Sequence, residues 1–289
     1  MNTEEPIGFI GLGLMGRPMV RNLLAEGFEV VVASRSPGPV AEMVEAGATA
    51  SSNPAEVARA CKIIVIMVSD TPAVEAVVAG LEDHIGEGHL IVDMGTTATL
   101  PTRAIAERLQ AKGASWIDAP VSGGVIGAEK GTLTIMAGGE EADLKRAEPA
   151  LQAMGAKITH VGGVGCGQIA KAANQVIVGL TIGAVSEALA LASHAGADAA
   201  KVREALQGGF ADSRILEVHG KRMIDGTFAP GGKVVTQRKD MAQALDLAET
   251  LDLDLPATRL GRDLYDRLIE AGHGELDHSA LFKVIDEKL

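Results

Sequence analysis

Lys171, Asn174 and Gln175 fall at helical spacing in the stretch that runs from Gly165 to Gln175, so the three side chains lie about one turn apart on one helix face. An ammonium group beside two amides can donate a proton to an oxygen on which negative charge is growing, as hydride delivery to a carbonyl carbon requires. In the opposite direction the same nitrogen must accept a proton, and burial or a nearby positive charge would lower its pKa from the ordinary value of about 10.4. The bland alternative is a lysine stem lying along the helix with its tip in water.

A source of hydride is suggested by the first thirty-five residues, which read as strand, turn, helix and strand. The apolar run Ile7 to Ile10 leads into Gly11-Leu12-Gly13-Leu14-Met15-Gly16, an amphipathic stretch follows from Arg17 to Ala25, and a second strand covers Glu29 to Ala33. Gly11 would make the tight turn, Gly13 would let the backbone approach a pyrophosphate, and Gly16 would bring helix and strand together. The pyrophosphate would rest on the amides at the helix N-terminus. Where an acidic residue would bind a ribose 2′-hydroxyl, this chain has Ser34 and Arg35. A guanidinium there can fork onto a 2′-phosphate, so NADP is expected in preference to NAD. An Arg35 that stacks on adenine or stays solvated would leave both usable.

The remaining composition narrows the class. The chain has 289 residues, 47% of them hydrophobic, and a net charge of -12 from 38 acidic against 26 basic side chains. That is enough to bury substantial cores. The acidic balance and the scarcity of aromatics argue against nucleic acid as a partner. No stretch reaches about 18 uninterrupted apolar residues, and the N-terminus lacks the regions of a signal peptide, so no membrane span and a cytoplasmic location are expected. Cys61 and Cys166 form neither a metal pair nor a disulfide framework, and the seven histidines show no HxxxH or HExxH spacing, so no metal site is expected.

The first half alternates regularly. Helices are expected near Val40 to Glu45, Pro54 to Ala60, Pro72 to Ala79, Leu100 to Lys112 and Glu141 to Met154. Extended segments are expected at Thr49-Ala50, Ile63 to Val68, His89 to Met94, Trp116 to Ala119, Thr132 to Ala137 and Lys157 to Val161. Apolar strands between helices are the doubly wound α/β pattern. After the flexible Gly162 to Gly167, strand signals stop. A long alanine-rich helix is expected over about 168–195, apolar on more than one face and therefore buried between other elements. Further helices should cover Ala199 to Gln207, Ile215 to Met223, Lys239 to Leu251, Ala257 to Ala271 and Ser279 to Leu289. The expected domains are 1–162, dinucleotide-binding, and 163–289, all-helical.

Several motifs in order, "GFIGLGLMGRPM", "DAPVSGG" with "GTLTIMAGG", "KAANQVIVGL", "RKDMAQALDLA" and "GHGELDHSAL", resemble the β-hydroxyacid dehydrogenases over the full length. The "ANQ" after Lys171 and the late "DHSAL" resemble the branch that reduces tartronate semialdehyde (2-hydroxy-3-oxopropionate) to glycerate. The resemblance implies a Rossmann-type doubly wound sheet followed by an all-α C-terminal domain, with the active site in a cleft. It implies a small carboxylate-bearing substrate held by Ser122, Gly123 and Gly124, with Asn174 on its hydroxyl or carboxylate and Lys171 as the general acid. It also brings Met67, Val68 and Ser69 after the fourth strand, and Thr96 after the fifth, against nicotinamide and ribose. Lys239, in a Lys-Asp pair at a helix start, would contact the cofactor or the carboxylate. Many relatives have proline at the position of Ser69 and a serine pair at Gly95-Thr96. Within the class the same residues would serve 3-hydroxyisobutyrate, serine, sulfolactaldehyde or succinic semialdehyde, and a silent dinucleotide sensor or scaffold is the non-enzymatic alternative. The Ala-, Leu- and Gly-rich helical half suggests a homodimer or homotetramer.

Overall fold

The computed structural model describes residues 5–286. They form two compact units, Met1–Lys171 and Ala172–Leu289.

In the first unit six strands run parallel in the order β3-β2-β1-β4-β5-β6: β1 (Ile7–Ile10), β2 (Val30–Ala33), β3 (Thr49–Ala50), β4 (Ile63–Ile66), β5 (Leu90–Asp93) and β6 (Ser115–Asp118). Two further strands then enter antiparallel, β8 (Leu133–Gly138) beside β6 and the short β7 (Val121–Ser122) beside β8, while β9 (Gly155–Gly162) pairs parallel with β8. The alternation of the pleat explains why the central strands β4 and β5 are apolar at successive positions. Val65, Leu90 and Val92 pack on one side with α1 (Gly16–Ala25), α2 (Pro37–Glu45) and α7 (Glu141–Met154). Ile64, Ile66 and Ile91 pack on the other with α3 (Pro54–Ala60), α4 (Thr71–Leu81) and α5 (Thr99–Gln110). Each of these strands is thus covered on both faces.

The order reverses about β1, whose neighbours are β2 and β4. That reversal is a topological switch point, and the turns at the carboxyl ends of such strands are where α/β sheets take ligands. Asn53 and Asp70 start α3 and α4 by accepting from the amides of Glu56 and Ala73, which fixes where the turns before them end.

Two elements were not foreseen from the sequence. Ser122 belongs to β7, pairing with Thr134 of β8, and α6 (Gly124–Glu129) follows at once. Their glycine-rich sequence reads as a turn; pairing with β8 and burial of Gly127 and Ala128 make the structure.

The second unit is built on α8 (Cys166–His194), whose first turns lie in the first unit, with α9 (Ala199–Leu206), α10 (Arg214–Asp225), α11 (Val234–Glu249) and α12 (Pro256–Glu270). Ile182, Val185 and Leu189 of α8 meet Leu216, Met223, Met241, Tyr265 and Leu268 in a single core. α8 departs from expectation in its burial. One stripe, running through Gln168, Lys171, Gln175, Ile182 and Leu189, is buried, whereas Ile177 is 66% exposed and Leu191 73% exposed. Its apolar positions cover more faces than this one chain covers. With a mean hydropathy of 1.9 over 18 residues, α8 is long and apolar enough to cross a membrane by length and composition. α8 contains no unbroken apolar run of about 18 residues, as expected, but on average its Ala, Ile, Leu and Val outweigh the interspersed polar residues.

Two further boundaries are corrected. α11 begins at Val234, five residues earlier than expected, because the amides of Val234 and Val235 are satisfied by the carbonyls of Leu276 and Gly274 and Val234 is buried. The β-branched Val-Val-Thr start gives no helical signal of its own. The expected helix over Ser279 to Leu289 is a 3₁₀ turn, His278–Leu281, followed by α13 (Phe282–Ile285); residues 287–289 lie outside the described residues.

Candidate active site

The turn after β1 has the form its glycines require. Gly11 has φ +109°, and a side chain there would collide with the carbonyl of Met67; one on Gly16 would collide with the carbonyl of Gly11. At Gly13 nothing lies within 4 Å of where a side chain would stand. Gly11 and Gly16 are closed by the protein's own backbone, and Gly13 between them is open to a ligand. No side chain caps the start of α1, so its first turn presents backbone amides and the positive end of a helix dipole. A dinucleotide's pyrophosphate fits this cradle. Leu12 is buried in the core and can contribute only backbone, while Leu14 is exposed and Met15 half-buried.

The other residues assigned to the cofactor lie at neighbouring strand ends. Ser34, half-buried, and Arg35, exposed, follow β2. Met67 and Val68, half-buried, and the exposed Ser69 follow β4, and Ser69 donates through Oγ to Asp70. The half-buried Thr96 follows β5 in a turn whose Gly95 abuts the carbonyl of Val68. The turns after β1, β4 and β5 are therefore contiguous, linked through Gly11, Met67, Val68 and Gly95.

Lys171 is 8% exposed. Its Nζ donates to the carbonyl of Val121 at 2.8 Å, so the ammonium lies against β7 immediately before Ser122. Ser122 is half-buried at the end of that strand; Gly123 (φ +133°) and Gly124 (φ +59°) turn the chain into α6 with backbone angles that disfavour a side chain.

Asn174, one turn further along α8, belongs to the second unit, where its Nδ2 donates to Oε1 of Gln175 at 2.8 Å. Gln175 in turn donates to Asp240 Oδ2 at 2.6 Å, and Asp240 Oδ1 is 2.9 Å from Nζ of Lys239. The structure thus brings Asn174 and Lys239 into one chain of polar contacts. Lys239 sits in the second turn of α11, not at a helix start as expected from its motif.

Sequence reasoning passed over the residues that hold this framework. Asp118 ends β6 and Asp93 ends β5, both fully buried. Asp118 accepts from the amides of Gly165 at 2.7 Å and Gln168 at 2.9 Å at the start of α8. Burial pushes its carboxyl up to about 6, against the pull of those amides. Asp93 accepts from Thr97 Oγ1 at 2.6 Å and from the amide of Gly95 at 3.0 Å. The available signal was a lone carboxylate closing a largely apolar strand, LIVD or SWID. Cys61 is buried, which raises its thiol to about 11, and forms part of the core. Although no histidine spacing suggests a metal, the fold collects His219, Asp277 and His278 with ligand atoms within 4.8 Å of one another. Asp277 already accepts from the amides of Gly231, Gly232 and Ser279 and from the Ser279 hydroxyl, and it pairs with Arg222 at 2.7 Å.

A phosphate cradle at the switch point of a parallel sheet, with a helical unit continuing from the sheet, defines an oxidoreductase that uses a nicotinamide dinucleotide. Comparison with known proteins agrees along the whole chain. Residues 6–162 match the NAD-binding domain family of 6-phosphogluconate dehydrogenase, and residues 165–285 match the NAD-binding family of NADP-dependent 3-hydroxyisobutyrate dehydrogenase. The chain is 48% identical to 2-hydroxy-3-oxopropionate reductase of Escherichia coli (strain K12), covering 97% of each. Among solved structures it resembles Mycobacterium tuberculosis 3-hydroxyisobutyrate dehydrogenase with L-serine (TM-score 0.91, 27% identity, 99% of each chain). It also resembles Psf3 in complex with NADP+ and 2-OPP (TM-score 0.88, 25% identity, 96% of this chain and 99% of that one). The chain belongs to the β-hydroxyacid dehydrogenase family and is an NAD(P)-dependent oxidoreductase acting on the CH–OH group of small hydroxy acids.

Proposed function

We propose that this enzyme reduces tartronate semialdehyde to glycerate with Lys171 as the general acid. The observation that carries the reading is the position of the Lys171 ammonium, 2.8 Å from the Val121 carbonyl and next to the Ser122-Gly123-Gly124 turn. The substrate assignment is supported by 48% identity to the Escherichia coli reductase over nearly all of both chains.

In this reading the Ser122 hydroxyl and the amides of Gly123 and Gly124 hold the substrate carboxylate. The Asn174 amide holds the neighbouring oxygen. When bound, the dinucleotide supplies the hydride. Lys171 stabilises the charge that grows on the aldehyde oxygen and transfers a proton to it from Nζ. Gly11 to Gly16 seat the pyrophosphate, and Met67, Val68, Ser69 and Thr96 border the ribose and nicotinamide. Lys239, already ion-paired with Asp240, supplies positive charge toward the cofactor or carboxylate. Arg35 and Ser34, standing where an acidic residue would repel a 2′-phosphate, favour NADP over NAD. The exposed Ile177 and Leu191 support a homodimer or homotetramer, and we assign the enzyme to the cytoplasm, with domains at 1–162 and 163–289.

The test is a panel of tartronate, methylmalonate and succinic semialdehydes and sulfolactaldehyde, assayed in the reducing direction with NADPH and NADH. The expected result is the highest kcat/KM for tartronate semialdehyde with NADPH. A higher kcat/KM for another acid would move the substrate assignment, and dinucleotide binding without turnover of any of them would favour a sensor.

A further inference from the structure

Gln168 lies one turn before Lys171 on the same face of α8 and is only 2% exposed. Its side chain does not point back along its own helix. Nε2 donates to the carbonyl of Gly95 at 2.9 Å, and Oε1 accepts from the amide of Thr97 at 3.1 Å. One amide group therefore clasps the turn after β5 on both sides of Thr96. Nε2 also reaches Asp93 Oδ2 at 3.5 Å, and Asp93 holds the same turn through Thr97 Oγ1 and the Gly95 amide. From the other side, the backbone amide of Gln168 donates to Asp118 Oδ2 at 2.9 Å, while Asp118 Oδ1 takes the Gly165 amide at 2.7 Å. The first turn of α8 is thereby fixed to the ends of two adjacent strands, β5 and β6.

These contacts have a chemical requirement. The site needs a donor and an acceptor on one planar head, at the reach of two methylenes, facing a carbonyl and an amide two residues apart. A glutamine meets it; a leucine offers neither group and an ionised glutamate only the acceptor. In a buried setting an unmet backbone amide or carbonyl is costly, so the clasp rigidly couples what it joins.

We propose that Gln168 is a positioning residue that locks the turn carrying Thr96 to the helical turn carrying Lys171, so that the cofactor-side loop and the proton donor share one register. This inference rests on the reading of Lys171 as general acid. Gln168 touches neither reacting atom in this account; it acts through Lys171 on turnover and through the Thr96 turn on dinucleotide binding.

The experiment is a double-mutant cycle with Gln168→Leu and Lys171→Ala, read as turnover of tartronate semialdehyde and, separately, as the Kd for NADPH by fluorescence titration. Gln168→Leu should lower turnover by at least about tenfold when Lys171 is present, since small misplacements of a catalytic group have effects of this size or larger. It should lower turnover no further when Lys171 is already alanine. The NADPH Kd should rise about threefold to tenfold in both backgrounds, because the Thr96 turn loosens whether or not the lysine is there. Gln168→Glu keeps the shape of the side chain if the leucine variant fails to fold. A protonated carboxyl restores both donor and acceptor, so its deficit relative to the unaltered enzyme should shrink as pH falls toward 5. An equal turnover loss in both backgrounds, with Lys171→Ala itself at least about a hundredfold impaired, would overturn the coupling and leave the lysine reading intact. Unaltered turnover in Lys171→Ala would overturn both.

Discussion

Asp118 and Asp277 are each wholly buried, yet they titrate in opposite directions. Asp118, in the sheet unit, is met by the backbone amides at the start of α8, and burial outweighs them enough to bring its carboxyl up to about 6. Asp277, in the helical unit, also pays for burial, but His219, His278, Ser279 and the amide of Gly231 together hold its carboxyl well below the ordinary carboxylate range. Arg222 pairs with it at 2.7 Å. The difference shows what a buried carboxylate is used for. Amides alone fix its position without fixing its charge; cations and histidines fix both. Asp277 is a structural anchor, starting the 3₁₀ turn at His278 and tying α10 to the loop before α11. Asp118 holds the first turn of α8, one turn before Lys171.

The largest expected effect is at the anchor. Asp277→Ala removes one partner of a buried pair and a helix cap together, and should lower the unfolding free energy by roughly 3 to 5 kcal/mol, measured by urea denaturation. A loss under about 1 kcal/mol, the scale of an exposed pair, would show that Asp277 is no better anchored than a surface charge.

Asp118 should give a smaller effect with a pH signature. Its folded carboxyl titrates near 6 and an unfolded one near 3.9, so between those values the folded state holds a proton that the unfolded state has lost. The contribution of Asp118 to unfolding free energy is therefore largest below about pH 4 and falls as pH rises toward 6. Asp277 has the opposite sign. Its contribution is present above the ordinary carboxylate pKa and is lost only as pH falls below it. Asp118→Asn should cost about 1 to 3 kcal/mol near pH 5, since an amide must turn a donor toward one of two backbone N–H groups. It should also flatten the stability profile between about pH 4 and 6 relative to the unaltered protein. An unchanged slope in that window would mean that Asp118 does not titrate there.

Arg35, exposed after β2, should matter least to the fold. Arg35→Ala should change stability by less than about 0.5 kcal/mol while raising KM for NADPH more than for NADH. An equal rise for both cofactors would remove Arg35 from phosphate recognition.

The two centres were also unequally visible in the sequence. The sheet could be read because apolar runs such as Ile63 to Ile66 are covered on both faces and flanked by proline and asparagine signals, as at Asn53-Pro54. β7 and α6 escaped because Ser122, Gly123 and Gly124 have no strand or helix preference and owe their form to pairing with β8. The start of α11 escaped for a similar reason, being decided by Leu276 and Gly274 some forty residues away. Lys171 and the glycine turn were legible from local spacing. Asp93, Asp118 and Gln168 were not, because their meaning lies in hydrogen bonds between segments fifty or more positions apart. The His219, Asp277 and His278 cluster is likewise assembled from separate elements, which no spacing rule reports.

The most direct test of the account is Lys171→Ala, assayed for reduction of tartronate semialdehyde with NADPH and, in the same preparation, for the NADPH Kd. Turnover should fall by at least about a hundredfold, the lower range for a positioned proton donor, with the Kd essentially unchanged. Turnover at the unaltered rate would contradict it.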